Sequence, residues 1–203
     1  MKSLYIILST ILIMALSVPT YGKKDSTEPG IYRNWNSIDY MEILQPFKIS
    51  DYTKLIVLPL DTSEVSLPPM RDNTYEPVTN VLSRINGIFM MGLKKGFKEK
   101  LNIVPEKIDE KNIDVTLAGA LLIKTKVTEM NPGSFALRFW IRFGAGKTRV
   151  EMAGEIWDPN SNTVLLKFRH ARVSARRIAF YERVLTGDAM DVSEDIGRML
   201  LNF

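Results

Sequence analysis

The residues best suited to acid–base or nucleophilic chemistry are few in this chain. His170 is the only histidine, and the chain contains no cysteine. The composition therefore argues against a zinc site and against a cysteine nucleophile, because the required ligands and thiolate are missing. A Ser-His-Asp triad built around His170 stays open, although no G-x-S-x-G sequence accompanies it.

Two carboxylates are candidates for a glycosidase pair. Glu151 and Glu155 lie on one face of a predicted strand, which places them about 13 Å apart at about 3.3 Å per residue. The two carboxylates of a glycosidase are closer than about 10 Å. Pairing with Arg138 and Arg142 on a neighbouring strand is the simpler use of these acids.

The segment Gly144-Ala-Gly-Lys-Thr148 resembles the end of a phosphate-binding P-loop. The full motif needs a glycine where this chain has Ile141, and it needs a helix after the lysine. Here the alternating pattern of a strand follows the lysine. We therefore interpret the segment as a glycine-rich hairpin turn.

The sharpest local charge asymmetry lies in residues 167–183, which are rich in Lys and Arg and contain a single acid, Glu182. One interpretation is a surface that contacts an anionic partner. The other is a solvated strand face that runs into a loop. The candidate contact residues are Arg169, Arg172, Arg176 and Arg177.

The N-terminus has the pattern of a secretory signal peptide: Met1-Lys2, an apolar stretch over 4–16, and small residues at Thr20 and Gly22. The alternative is a membrane anchor, but about 13 apolar residues fall short of the roughly 20 that cross a bilayer. We expect cleavage near Gly22. Without a cysteine, the exported chain has no site for a lipid anchor.

The rest of the chain predicts one α+β domain. Residues 1–22 are the expected signal peptide, 23–53 an irregular N-terminal leader that packs on the domain, and 54–203 the domain itself. The predicted elements are a strand over 54–60, a loop over 61–77, a helix over 78–101, strands over 103–108, 114–128, 135–143, 148–157 and 163–174, and a closing helix capped by Thr186 or Asp188. They predict a single curved mixed sheet of about five to six strands with helices on one face.

Two finer expectations concern packing. The strands over 135–143 and 148–157 are predicted to form a hairpin around Gly146, with Ile141 opposite Val150 and Phe139 opposite Met152. Gly92 and Gly96 lie on one side of the first helix, where they would let it approach the sheet closely.

The stretch from Asp114 to Phe203 resembles the Gram-negative envelope family called domain of unknown function 4410. The residues that carry the resemblance are Leu117-Ala-Gly119, Ser134-Phe-Ala-Leu-Arg138, Phe143-Gly-Ala-Gly-Lys147, Asp158, and the closing helix from Asp191 to Leu201. The family is similar in layout to the TolB N-terminal domain and to envelope-assembly lipoproteins, which implies action through protein contacts. Many members are lipoproteins, and this chain departs from them by lacking the cysteine. The resemblance implies no catalytic residues.

Together these observations predict a non-enzymatic periplasmic protein that acts through protein contacts in envelope assembly or homeostasis. The alternatives are a hydrolase with an unrecognised site, or a binder of anionic lipid or glycolipid through residues 167–183. We expect an envelope protein as partner, with an anionic membrane surface as the alternative. We expect no nucleic acid, cofactor or metal, and the oligomeric state stays open.

Overall fold

The computed structural model describes residues 27–98, 102–105, 119–133, 146–174 and 180–203. The signal peptide, the strand over 135–143, and Arg176 and Arg177 lie outside these residues.

A single mixed sheet forms the centre of the described structure, and it confirms the predicted α+β class. Its strands lie in the order β1-β2-β7-β6-β5-β3-β4. Their bounds are β1 Gly30–Trp35, β2 Ile38–Ile43, β3 Lys54–Val57, β4 Asn102–Pro105, β5 Ala120–Asn131, β6 Thr148–Asp158 and β7 Thr163–Ser174. The strand β3 runs parallel to β4 and β5, and the other neighbours are antiparallel.

The segment expected to be an irregular leader contributes the first two strands. β1 and β2 form a hairpin whose turn residues, Asn36 and Ser37, both have positive φ, as a tight two-residue turn requires. Met41 and Ile43 are buried, and β2 pairs with β7. The sheet therefore has seven described strands, and the expectation of an irregular leader is wrong.

In the described ranges, three helices accompany the sheet: α1 Tyr75–Ser83, α2 Ile85–Phe97 and α3 Tyr181–Leu200, with a short 3-10 helix at Ile49–Asp51. The prediction of one helix over 78–101 is wrong, because the chain leaves helical geometry at Arg84, where φ is −112° and ψ is 4°. α2 ends at Phe97, and the next residue, Lys98, adopts the left-handed conformation that often follows a helix. Periodicity alone did not reveal this break, since the apolar spacing continues through Arg84.

The predicted hairpin between 135–143 and 148–157 is wrong. β6 is hydrogen-bonded to β5 along one edge and to β7 along the other, so no edge is left for another strand. Val150 faces Met130 and Arg172 across these two ladders. Alternation predicted correctly which face of β6 is buried, but alternation does not select the partner strand.

α3 packs against both the sheet and α2, and its contact with α2 depends on glycines. A Cβ atom at Gly92 would lie 2.6 Å from the carbonyl oxygen of Met190, and one at Gly197 would lie 2.5 Å from the carbonyl oxygen of Leu93. A Cβ at Gly96 would overlap the carbonyl oxygen of Glu194. The expectation that these glycines face the sheet is therefore wrong: they face the closing helix.

Gly96→Ala should destabilise the protein by about 2 kcal/mol or more, because the added methyl group collides with rigid backbone. The matched control is Gly87→Ala in the same helix, where an added Cβ would have no heavy atom within 4 Å. This control should be neutral or gain up to about 1 kcal/mol from helix propensity. Urea unfolding of both variants tests the pair, and equal effects would contradict the close helix contact.

Candidate functional site

The strand β7 divides the predicted basic run between two faces of the sheet. Successive side chains of a strand point to opposite faces. His170 and Arg172 point to the inner face, against α3, whereas Lys167 and Arg169 point to the outer face. Arg169 and Arg172 therefore cannot share one surface, which corrects the expectation that the arginines act together.

On the inner face, His170 is held between two carboxylates. Its side chain is 3% exposed, its Nε2 lies 2.9 Å from Oδ2 of Asp195, and its Nδ1 lies 3.3 Å from Oδ2 of Asp39. A Ser-His-Asp triad needs one ring nitrogen to face the hydroxyl of the nucleophile. Nε2 of His170 is bonded to Asp195 and Nδ1 makes no hydrogen bond, so no such triad is formed around His170 among the described residues.

Asp195 also binds arginine side chains, and its environment favours the charged carboxylate. Arg172 donates from Nε to Oδ2 of Asp195 at 2.8 Å, and Nη1 of Arg198 lies 3.5 Å from Oδ1. Burial by itself would raise the pKa of Asp195. The hydrogen bonds from His170 and Arg172 and the charge of Arg172 together outweigh burial, and the pKa of Asp195 is lowered.

A second buried carboxylate joins the same helix to the ends of β6 and β7. Asp188 is 1% exposed and accepts hydrogen bonds from the hydroxyl groups of Thr148, at 2.7 Å, and Ser174. The prediction that Thr186 or Asp188 caps the closing helix is wrong, because the helix already begins at Tyr181. Asp188 lies inside the helix and satisfies hydroxyl groups of the sheet instead. We interpret this inner network as structural.

The outer face of the sheet carries an open groove of about 580 Å³. Ala153 of β6 lies at its floor, because its small side chain leaves space between the longer side chains of Lys126 on β5 and Arg169 on β7. Its lining comprises Tyr40, Asp61, Glu64, Lys124, Thr125, Lys126, Ala153, Gly154, Glu155, Lys167, Phe168 and Arg169. None of these residues belongs to a described helix, so the groove is formed by strands and by the loop after β3.

One cross-strand row of this face balances its own charge. Glu42, Lys167, Glu155 and Lys124 are successive neighbours on β2, β7, β6 and β5. Opposite charges alternate along the row, and Nζ of Lys167 lies 4.0 Å from Oε1 of Glu155. Such pairs stabilise a sheet weakly, and they leave this row close to neutral.

The adjacent row, which we name the basic row, contains cations and no acid. Its residues are Arg33, Tyr40, Arg169, Ala153 and Lys126, on β1, β2, β7, β6 and β5. Nζ of Lys126 lies 2.6 Å from Oε1 of Glu64, in the loop that forms one wall of the groove. Within the described ranges, Arg33 and Arg169 form no ion pair.

Tyr40 contributes no negative charge to the basic row. Burial, followed by the neighbouring carboxylate of Glu42, raises the pKa of its phenol, so the hydroxyl stays protonated near neutral pH. The basic row can therefore attract an anion, while the buried carboxylate of Asp195 on the inner face is already paired with Arg172.

The sequence-predicted contact residues are only partly brought together. Arg169 lies at the groove, Arg172 is engaged by Asp195, and the other two arginines fall outside the described residues. Sequence reasoning missed Arg33, Tyr40 and Lys126, because only the strand register places them beside Arg169. In the described ranges, no group of three or more potential metal ligands is found.

None of the described helices combines the length and the apolar character needed to cross a membrane.

The match to a known family agrees with the resemblance found in the sequence. Residues 100–177 match the family described as Domain of unknown function (DUF4410). The resemblance to this uncharacterised family is thereby confirmed over β4 to β7. No curated protein matches this chain.

Solved structures provide weaker similarities. A PelC dodecamer from Paraburkholderia phytofirmans aligns with a TM-score of 0.45 and 11% identity, over 80% of this chain and 96% of that chain. Lipoprotein GNA1162 from Neisseria meningitidis aligns with a TM-score of 0.34 and 12% identity, over 66% and 93%. XCC0632 from Xanthomonas campestris, of family DUF330, aligns with a TM-score of 0.37 and 11% identity, over 77% and 87%. Similarities of this size assign no function to this chain.

The lowered pKa of Asp195 predicts a defined loss of stability in acid. A carboxyl group whose pKa is lower in the folded protein stabilises it above the unfolded pKa, and this contribution is lost as pH falls through the folded pKa. The folded pKa lies below 3.8, so the loss occurs below about pH 4. Asp195→Asn should lower the unfolding free energy near pH 7 by about 2–4 kcal/mol, and flatten its fall in acid.

Urea unfolding between pH 3 and pH 7 provides the measurement. The control is Asp191→Asn on the same helix, at a partly exposed position outside the network, which should change stability by less than about 0.5 kcal/mol. A steep acid transition that persists unchanged in Asp195→Asn would show that other groups control it.

Proposed function

We propose that this protein is exported to the periplasm and acts in the cell envelope by binding a partner protein, without catalysing a reaction. The observation that carries the proposal is the open groove on the outer face of the sheet, together with the cations Arg33 and Arg169, which form no ion pair with any residue that the structure describes. The signal-peptide pattern and the resemblance to an envelope family support the location.

The composition of the groove suits a protein partner. Arginine and tyrosine are enriched at protein interfaces, because each offers a large contact area together with directed hydrogen bonds. Arg169 and Tyr40 are neighbours at the groove, and the charges along its sides provide orientation as well as attraction. The buried histidine is bonded to Asp195 through Nε2, and among the described residues no serine hydroxyl binds its ring, which supports binding over hydrolysis.

The alternative of an anionic lipid or glycolipid surface is less well supported. Such a surface would favour a broad patch of like charge, whereas residues 167–174 place Arg169 and Arg172 on opposite faces. The cations of β5 and β7 are also interleaved with Glu155. Membrane binding is therefore an outcome that the test must distinguish.

Site-specific photo-crosslinking in the producing cells tests the proposed function. A photoreactive residue at Lys124, an exposed position at the groove, should give a covalent adduct with another protein. The same residue at Met91, which is 56% exposed on α2, should give none. Adding Arg169→Glu should abolish the adduct at position 124, because it reverses a charge at the same groove.

Three results would contradict the proposal. These are adducts only with lipid, adducts of equal yield from positions 124 and 91, or no adduct at either position.

Export makes a separate prediction. The protein recovered from the periplasm should begin near Lys23 and carry no lipid, because the small residues at Thr20 and Gly22 fit a signal peptidase site and the chain has no cysteine. Mass spectrometry of the intact protein gives both answers. A mass that includes Met1 would mean that the apolar stretch is retained as an anchor.

A further inference from the structure

We infer that the segment of the partner that occupies the groove is acidic, and that it lies across the strands along the basic row. The inference rests on the proposed function and specifies the chemistry of the partner. It follows from the contrast between the two neighbouring rows of the outer face.

The first observation is the regular placement of charge. Along the basic row, Arg33, Arg169 and Lys126 are on every second strand, and the neutral residues Tyr40 and Ala153 are on the strands between them. Neighbouring strands are about 4.8 Å apart, so the backbone positions of successive cations are about 10 Å apart. The row thus offers cations at a repeated spacing.

The second observation is that these cations lack matching acids within the sheet. In the neighbouring row, Glu42 and Glu155 alternate with Lys167 and Lys124, so that row holds as many acids as cations. In the described ranges, neither Arg33 nor Arg169 forms an ion pair, and Glu42 of the neighbouring row accepts a hydrogen bond from the hydroxyl of Tyr40 between them. An approaching carboxylate therefore gains attraction here without first displacing an internal partner.

The third observation is that the protein already places one carboxylate on the basic row. Glu64, from the loop after β3, binds Lys126, and both side chains are about half exposed. An exposed ion pair of this kind contributes little to stability. A carboxylate of the partner can replace Glu64, or can add to it at the two arginines.

The spacing also specifies the shape of the acidic segment. A polyproline II helix has three residues per turn and rises about 3.1 Å per residue, so every third side chain lies on one face about 9 Å apart. Acidic residues at every third position therefore match the cations of the basic row. The side chain of Ala153, in the middle of the basic row, is short, so the backbone of such a segment can approach the sheet there.

Binding of synthetic peptides to the purified exported protein tests this inference. The probe is a fluorescent, proline-rich 12-residue peptide with Glu at every third position. The comparison peptides have the same composition with the Glu residues contiguous, or Gln in place of each Glu. Fluorescence anisotropy at low salt should show tightest binding for the spaced acidic peptide, and this binding should weaken as salt is added.

Variants of the basic row provide the matched comparison. Arg33→Gln and Arg169→Gln should each weaken binding of the spaced peptide by about tenfold, since each removes a charge-assisted contact. Arg71→Gln, at an exposed position outside the groove, removes the same charge and should leave binding unchanged. Circular dichroism of each variant confirms that it is folded, as expected for exposed positions.

Three results would overturn the inference: equal binding of the Gln and Glu peptides, equal loss in Arg71→Gln, or equal binding of the spaced and contiguous Glu peptides. Binding of phosphatidylglycerol vesicles through Arg33 and Arg169, with no peptide binding, would assign the row to a membrane instead. If the protein adduct at position 124 forms but survives Arg33→Gln together with Arg169→Gln, this inference fails while the proposed function stands.

Discussion

The carboxylate of Asp195 fixes the relation between the closing helix and the sheet, and the placement of the outer face depends on it. His170 and Arg172 of β7 both bind this group, so they must point to the inner face. Because a strand alternates, Arg169 is then forced to the outer face. A shift of β7 by one residue would bury Arg169 beside α3 and separate it from Tyr40. The buried pair of His170 and Asp195 thus helps to specify the register of β7. Buried ionic groups can have this role even when their net contribution to stability is small.

α3 is buried on two sides, and each side uses a different kind of contact. Toward the sheet, Asp188 and Asp195 bind hydroxyl, imidazole and guanidinium groups. Toward α2, Gly92, Gly96 and Gly197 let the two backbones approach until carbonyl oxygens lie where side chains would otherwise be. Asp188 was expected as a cap because aspartate often begins a helix, but its carboxylate binds hydroxyl groups of the sheet, and Val184 and Leu185 are already buried in the turn before it.

The sequence predicted those features that depend on local pattern. β7 was predicted at its observed bounds, and β6 almost so, because alternation over more than ten residues is a strong signal. The hairpin of β1 and β2 was missed, since its strands are short and its turn residues are not glycine. The partner of β6 and the composition of the basic row could not be predicted, because both follow from strand order. Arg33 and Arg169 become neighbours of Tyr40 only through two separate ladders.

The outer face of the sheet can form only once β2 has paired with β7. Asp39, next to Tyr40, accepts a hydrogen bond from the backbone N–H of Ala171, which is 132 positions away in the chain. Contacts between such distant residues form slowly, because a long loop must close first. β1 and β2 are synthesised before β7. Until β7 is in place, the edge of β2 that pairs with it stays open and can pair wrongly with other chains. The groove depends on this long-range pairing, and a chain that ends before β7 lacks Lys167 and Arg169 and has no such surface.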